Sequence, residues 1–173
     1  MLKQSTVGKP VIFLVLFMAV MFIAGQADAQ TKISGKMTMA YAKMDSIPVS
    51  DTEDHNMALA ESKGNNISTG DNAFMDGAEI INFSYADLTK GSGPHQGYVT
   101  FKKGDDMTIA KWKGKVKTTM TEEGAPKTTF SGTFEYIKGA GQFKNIKGAG
   151  TYEGHFTSST EYIVGWKAEY TLK

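Results

Sequence analysis

The sequence predicts an all-β fold, a single antiparallel eight-stranded up-and-down barrel. Two observations point there. Several segments alternate apolar and polar residues with period 2, and none shows a convincing helical period. Glycines fall on the apolar faces of these segments, flanked at ±2 by aromatic or branched residues, as narrow, bent sheets require. Closure removes the strand edges that an exported all-β protein must otherwise protect, so a barrel is preferred to its alternative, a two-sheet sandwich.

The chain opens on an address. Lys3 and Lys9 precede an apolar run from Val11 to Ala24, and Ala27-Asp28-Ala29 supplies a small-x-small cleavage pattern. Residues 1–29 therefore read as a signal peptide and residues 30–173 as one barrel domain, periplasmic or secreted. The run is shorter than the roughly 20 residues of a membrane span, so no stable membrane anchor is expected after cleavage.

The first strand candidate, Ile33 to Lys43, places Ile33, Gly35, Met37, Met39 and Tyr41 on one side. A polar loop is expected over Asp45–Asn56. His55 to Ser62 follows as a short strand with His55, Met57, Leu59 and Glu61 on one face, and Gly64–Asp76 as a long irregular connection. Glu79–Leu88 has Ile81, Phe83 and Tyr85 in register. A turn at Gly91–Gly97 leads into Tyr98–Lys103, and Gly104-Asp105-Asp106 marks a hairpin.

Thr108 to Met120 alternates most strictly. Lys111, Lys113, Lys115 and Lys117 take one face, while Ala110, Trp112, Gly114, Val116 and Thr118 take the other. After a turn at Glu122–Pro126, Phe130, Gly132, Phe134 and Tyr136 share the inward face of the next strand. Tyr152, Gly154 and Phe156 repeat the pattern opposite Thr151, Glu153 and His155. Ile137–Phe143 and Ile146–Tyr152 match as a short repeat, read as one local turn used twice. The last strand, Glu161 to Leu172, turns Tyr162, Val164, Trp166, Ala168, Tyr170 and Leu172 inward.

Composition excludes several functions. Cleavage removes Lys3, Lys9 and Asp28 from the 19 basic and 18 acidic residues and leaves 17 of each. That balance speaks against nucleic acid as a partner, and the lysine ladder reads as a solvated sheet face. Arginine is absent, so no guanidinium fork is available for phosphates. Cysteine is absent too, which removes disulfides, thiolate nucleophiles and cysteine metal sites. Gly139-Ala-Gly141 lacks the third glycine and the βαβ context of a dinucleotide site, and the acidic stretch from Asp71 lacks the closing glutamate of a calcium loop. No cofactor and no metal site is expected.

The runs Gly70–Glu79, Gly91–Phe101, residues 128–156 and Glu161–Tyr170 resemble a family of small exported bacterial proteins of unknown function. That family is similar in pattern to the allene oxide cyclase-like barrel of calycin style. The resemblance implies an eight-stranded cup and raises a small apolar ligand as its content; no catalytic residue of a cyclase maps onto this chain.

Of the histidines, His155 is expected to face solvent. His55 and His95 each begin a strand on the side of apolar neighbours, with Glu61 on the face of His55. Together they could form a general acid/base site or an open metal site, but the preferred expectation is that they sit on different rims and hydrogen-bond to loops. Trp112, Phe130, Phe134, Tyr136, Tyr152 and Trp166 are the candidate ligand-binding residues, although rings of this size also fill small barrels solidly, and that packed interior is the preferred expectation. Three roles follow. One is a non-enzymatic barrel that binds a small apolar ligand or an envelope partner. The others are a lipid-type isomerase or cyclase, implied by the resemblance, and a purely structural barrel without a cavity.

Overall fold

The computed structural model describes residues 30–172; the signal-peptide reading of residues 1–29 lies outside them. Eight strands succeed one another: β1 (Thr31–Pro48), β2 (His55–Ser68), β3 (Glu79–Thr89), β4 (Gly93–Lys103), β5 (Asp106–Met120), β6 (Pro126–Ala140), β7 (Ile146–Phe156) and β8 (Glu161–Leu172). Each pairs antiparallel with the next. β8 returns to β1 from Thr31↔Tyr170 to Ala40↔Glu161, so the sheet closes into an up-and-down barrel with no free edge. The barrel, not the sandwich, is what the alternation builds.

Two polar stretches expected as loops are strand in part, and only residues 49–54 and 69–78 leave the sheet. β1 continues to Pro48 and β2 to Ser68, and they pair with each other from Gly35↔Ser68 to Pro48↔Asn56. Backbone ladders need no apolar side chains, so polarity alone does not mark the loop. The register shifts between Tyr41 and Lys43. Such a bulge resets the alternation, and beyond it Met44 rather than Lys43 turns to the lumen.

The internal repeat is not one turn used twice. Its first copy runs off the end of β6 into a single 3-10 turn, Gly141–Phe143, where Gly141 takes φ 62°. Its second copy lies wholly within β7, paired to β8 from Ile146↔Leu172 to Tyr152↔Trp166. The first four residues of each copy are strand, and only Gly141–Phe143 leaves the sheet.

One end of the barrel is stopped by the β2–β3 connection. Phe74, Met75 and Ala78 of that segment are buried, and Phe74 contacts the rings of Phe101, Tyr136, Phe143, Trp166 and Tyr170 at centroid distances of 4.9–6.4 Å. The side-chain amide of Asn66 holds the stopper, donating to the carbonyls of Phe74 at 3.1 Å and Met75 at 3.0 Å. The packed core lies here, with Ile33, Ile80 and Ile146 around it.

On β2 and β3 the inward and outward faces are the reverse of what apolar content suggests. The lumen receives Ala58, Ala60, Ser62 and Asn66 from β2 and Ile80, Asn82, Ser84 and Ala86 from β3. His55, Met57, Leu59 and Glu61 lie on the outer wall, as do Ile81 and Phe83. Leu59 is 62 % exposed and Phe83 54 %. The outer apolar residues stand opposite one another across the strands instead, Leu59 opposite Tyr85 and Phe83 opposite Tyr98. Elsewhere the faces fall as expected: Lys111, Lys113 and Lys117 point to solvent, and so does His155. Leu172, at the end of β8, is exposed rather than inward.

Candidate functional site

Inward aromatic side chains meet glycine on the neighbouring strand. Trp112 pairs with Gly97, Phe134 with Gly150, Phe130 with Gly154, Tyr152 with Gly132 and Trp166 with Gly35. A Cβ built on Gly97 or Gly150 would stand 2.6 Å from the Trp112 or Phe134 ring, and one on Gly154 or Gly35 would collide with Phe130 or Trp166. Each ring therefore lies down along the wall over a bare Cα instead of projecting across the lumen. Glycine at these positions is a matter of close approach.

This arrangement overturns the expectation of a solidly filled barrel. Above the Phe74 stopper lies a cavity of about 840 Å³, floored by Phe101, Tyr136 and Trp166. Its mouth lies among the β1–β2, β3–β4, β5–β6 and β7–β8 connections, where Gly91, Thr121, Lys127 and Ser158 form a polar rim. All six aromatic candidates, Trp112, Phe130, Phe134, Tyr136, Tyr152 and Trp166, line it. Volume and lining are those of small-molecule sites, which run to roughly 300–1,000 Å³ with apolar walls and a few placed polar groups.

The polar groups are few and mostly engaged with one another. The Trp112 indole donates to Asn82 Oδ1 at 2.8 Å, and the Asn82 amide reaches the Tyr162 hydroxyl at 3.5 Å. His95 Nε2 lies 3.0 Å from the Tyr152 hydroxyl. The imidazole packs edge-on against Trp112 at 4.8 Å and Phe130 at 5.8 Å. Burial drives its pKa down to about 4, so it is neutral at physiological pH. The same cause raises the Tyr152 phenol well above its usual range, and Tyr41, nearer the mouth, to about 12 with help from Tyr162. Inside the mouth, where Lys127 and His155 stand, the cavity thus carries hydrogen-bonding groups without charge. No protein-family model matches this chain, and no curated protein does either. One solved structure that is similar is that of a pterocarpan synthase dirigent protein, at 9 % identity and TM-score 0.45, covering 83 % of this chain and 90 % of that one. At that distance the likeness says nothing of ligand or role.

The three acid/base candidates do not meet. His95 is in the cavity, but His55 and Glu61 are on the outside of β2, where Glu61 pairs with Lys63 at 3.2 Å. His55 is held between two carboxylates, Nδ1 2.5 Å from Asp51 and Nε2 2.6 Å from Asp87. It clasps the β1–β2 connection to β3. The face was misread because β2 puts alanine, serine and asparagine inside and its larger residues outside. Among the described residues no group of three or more His, Asp or Glu side chains is placed to hold a metal ion.

The partner that sequence reasoning missed is Tyr152 as a polar group rather than a ring. His95, Gly114, Gly132 and Tyr152 sit in one row across β4, β5, β6 and β7, each directly opposite the next. The two glycines let the ends touch, but that they lie between the ends is set by the register of four strands.

Proposed function

We propose that this protein is an exported barrel that binds a small apolar molecule within its cavity and does not transform it. One observation carries the reading. The inward rings lie flat on glycines and leave about 840 Å³ of apolar space open at a polar rim. Burying apolar surface there contributes roughly 25 cal/mol per Å² removed from water, enough for firm binding of a modest ligand. Against an isomerase stands the distribution of the acid/base candidates, since only His95 faces the lumen and it is a weak base at pH 7.

Native mass spectrometry of protein purified from its own host tests this. A co-purifying molecule of a few hundred daltons that is lost on unfolding is the expected result. Protein that arrives empty and takes up no apolar probe in dialysis would overturn it.

A further inference from the structure

We propose that the His95–Tyr152 pair is a polar point in the wall of this cavity and selects uncharged apolar molecules that carry one hydrogen-bonding oxygen, as a ketone, ether or hydroxyl. The inference rests on the binding role given to the cavity above and names the class of molecule it takes.

The pair is built, not incidental. Tyr152 extends its hydroxyl over two strands to reach His95, and it can do so because Gly114 and Gly132 lie beneath it. A Cβ on either glycine would stand 2.5 Å from that hydroxyl. Packing alone does not call for the oxygen, since a phenylalanine would make the same ring contacts with Trp112 at 5.8 Å and Phe130 at 6.5 Å. Trp112, Asn82 and Tyr162 already bond to one another. His95 and Tyr152 share a single bond, and neither has a second hydrogen-bond partner among the described residues. An imidazole and a phenol have more donors and acceptors than one bond uses. Both side chains line the cavity.

What would satisfy the pair must be neutral. No carboxylate lines the cavity, and Lys127 and His155 are at its mouth. His95 is held uncharged down to about pH 4, and Tyr152 stays protonated. A carboxylate placed against them would lose its hydration and gain no cation. A ketone or ether oxygen accepts from the pair, and a hydroxyl can also donate to it.

Three probes of one shape separate the possibilities: naphthalene, 2-acetylnaphthalene and 2-naphthoate, measured by equilibrium dialysis at pH 7 with wild type, Tyr152→Phe and Tyr152→Phe/His95→Phe. The ketone should bind wild type roughly three- to tenfold more tightly than naphthalene, the worth of about one net hydrogen bond. The naphthoate should bind less tightly than the ketone. Tyr152→Phe should reduce the ketone's advantage, and Tyr152→Phe/His95→Phe should remove it while still taking up naphthalene, because the imidazole alone retains one N–H donor. Equal affinity for naphthalene and ketone in wild type, or an advantage that persists in the double variant, would overturn the selectivity while the binding role stands. If none of the three binds, the binding role itself falls.

Discussion

The indole of Trp166 donates to Asn66 Oδ1 at 3.1 Å, joining two strands one hundred residues apart in the chain. The amide of the same Asn66 donates to the carbonyls of Phe74 and Met75. One buried side chain thus satisfies a tryptophan on β8 and two backbone carbonyls of the stopper. On the cavity side, Trp112 and Asn82 repeat the indole-to-asparagine contact. Each asparagine meets a donor that would otherwise be stranded in an apolar interior.

Replacing Asn66 with alanine strands the Trp166 N–H and the Phe74 carbonyl, while the Met75 carbonyl keeps the Ala78 N–H. Each orphaned group costs about 1–3 kcal/mol where water does not reach it. A total loss of roughly 2–4 kcal/mol is expected in denaturant melts, with faster amide exchange in residues 69–78. A loss below about 1 kcal/mol would mean that the stopper is held by its apolar contacts alone.

Two phenylalanines separate the filled end from the hollow one. Phe74 is buried among five rings, so Phe74→Ala should cost roughly 3–5 kcal/mol. Phe134 is half-buried, packed on Tyr136 and Gly150 on one side and bordering the cavity on the other. Its truncation should cost about 1–2 kcal/mol, well below the packed-core value, and should weaken ligand uptake. Equal costs at the two sites would argue against a hollow upper barrel.

The strand count, the closure and the inward rows of β1, β5, β6 and β7 were legible in the sequence because there apolar residues alternate strictly with polar ones. β2 and β3 were not, for a physical reason. Next to a cavity the inward positions need small side chains, so Ala58, Ala60, Ser84 and Ala86 go in while Leu59 and Phe83 remain out. Hydrophobicity orients a strand only where its inner face is packed. The aromatic lining of the site was legible for the same reason that its emptiness was not: the sequence shows rings and glycines, but whether a ring spans the lumen or lies on the opposite glycine depends on register. The His95–Tyr152 contact joins residues 57 apart through two intervening strands, a relation that no local pattern carries.

Surface substitutions test these faces directly. Lys113→Gln should change stability by no more than about 0.5 kcal/mol, the usual range for exposed sites, and Phe83→Ser by about 1 kcal/mol at most, the upper worth of a cross-strand pair such as the one it makes opposite Tyr98. A penalty of several kcal/mol for Phe83→Ser would mean that β3 is turned the other way.

The two histidines give stability opposite dependences on pH. Hydrogen bonds to Asp87 and Asp51 raise the His55 pKa above its ordinary 6.5. Its contribution is therefore full below about 6.5 and is lost as pH climbs through the raised value. The bond to His55 lowers the Asp51 pKa below 3.8, so that contribution is lost only as pH falls through the lowered value. His95 runs the other way. Its pKa falls from 6.5 to about 4, so stability present above 6.5 drains away as pH falls toward 4. In denaturant melts across pH 4–8, His95→Phe should flatten the fall between pH 6.5 and 4, and His55→Ala should remove the loss above pH 6.5. Identical profiles for wild type and both variants would refute the assignment.

The glycine row beneath Tyr152 offers the most searching test. In Gly132→Ala the new methyl meets the Lys113 carbonyl and, at 2.5 Å, the Tyr152 hydroxyl. The first contact is with backbone and cannot be relieved by a rotamer change; the second can be removed by deleting the oxygen. Overpacking of this kind costs typically 1–3 kcal/mol. Tyr152→Phe alone should cost about 1 kcal/mol, the worth of its bond to His95. If the hydroxyl occupies the space over Gly132, the two changes are not independent. The double variant should then be more stable than the sum of the single losses predicts, by roughly 0.5–1 kcal/mol. Simple additivity would place the hydroxyl elsewhere and remove the geometric basis for its bond to His95.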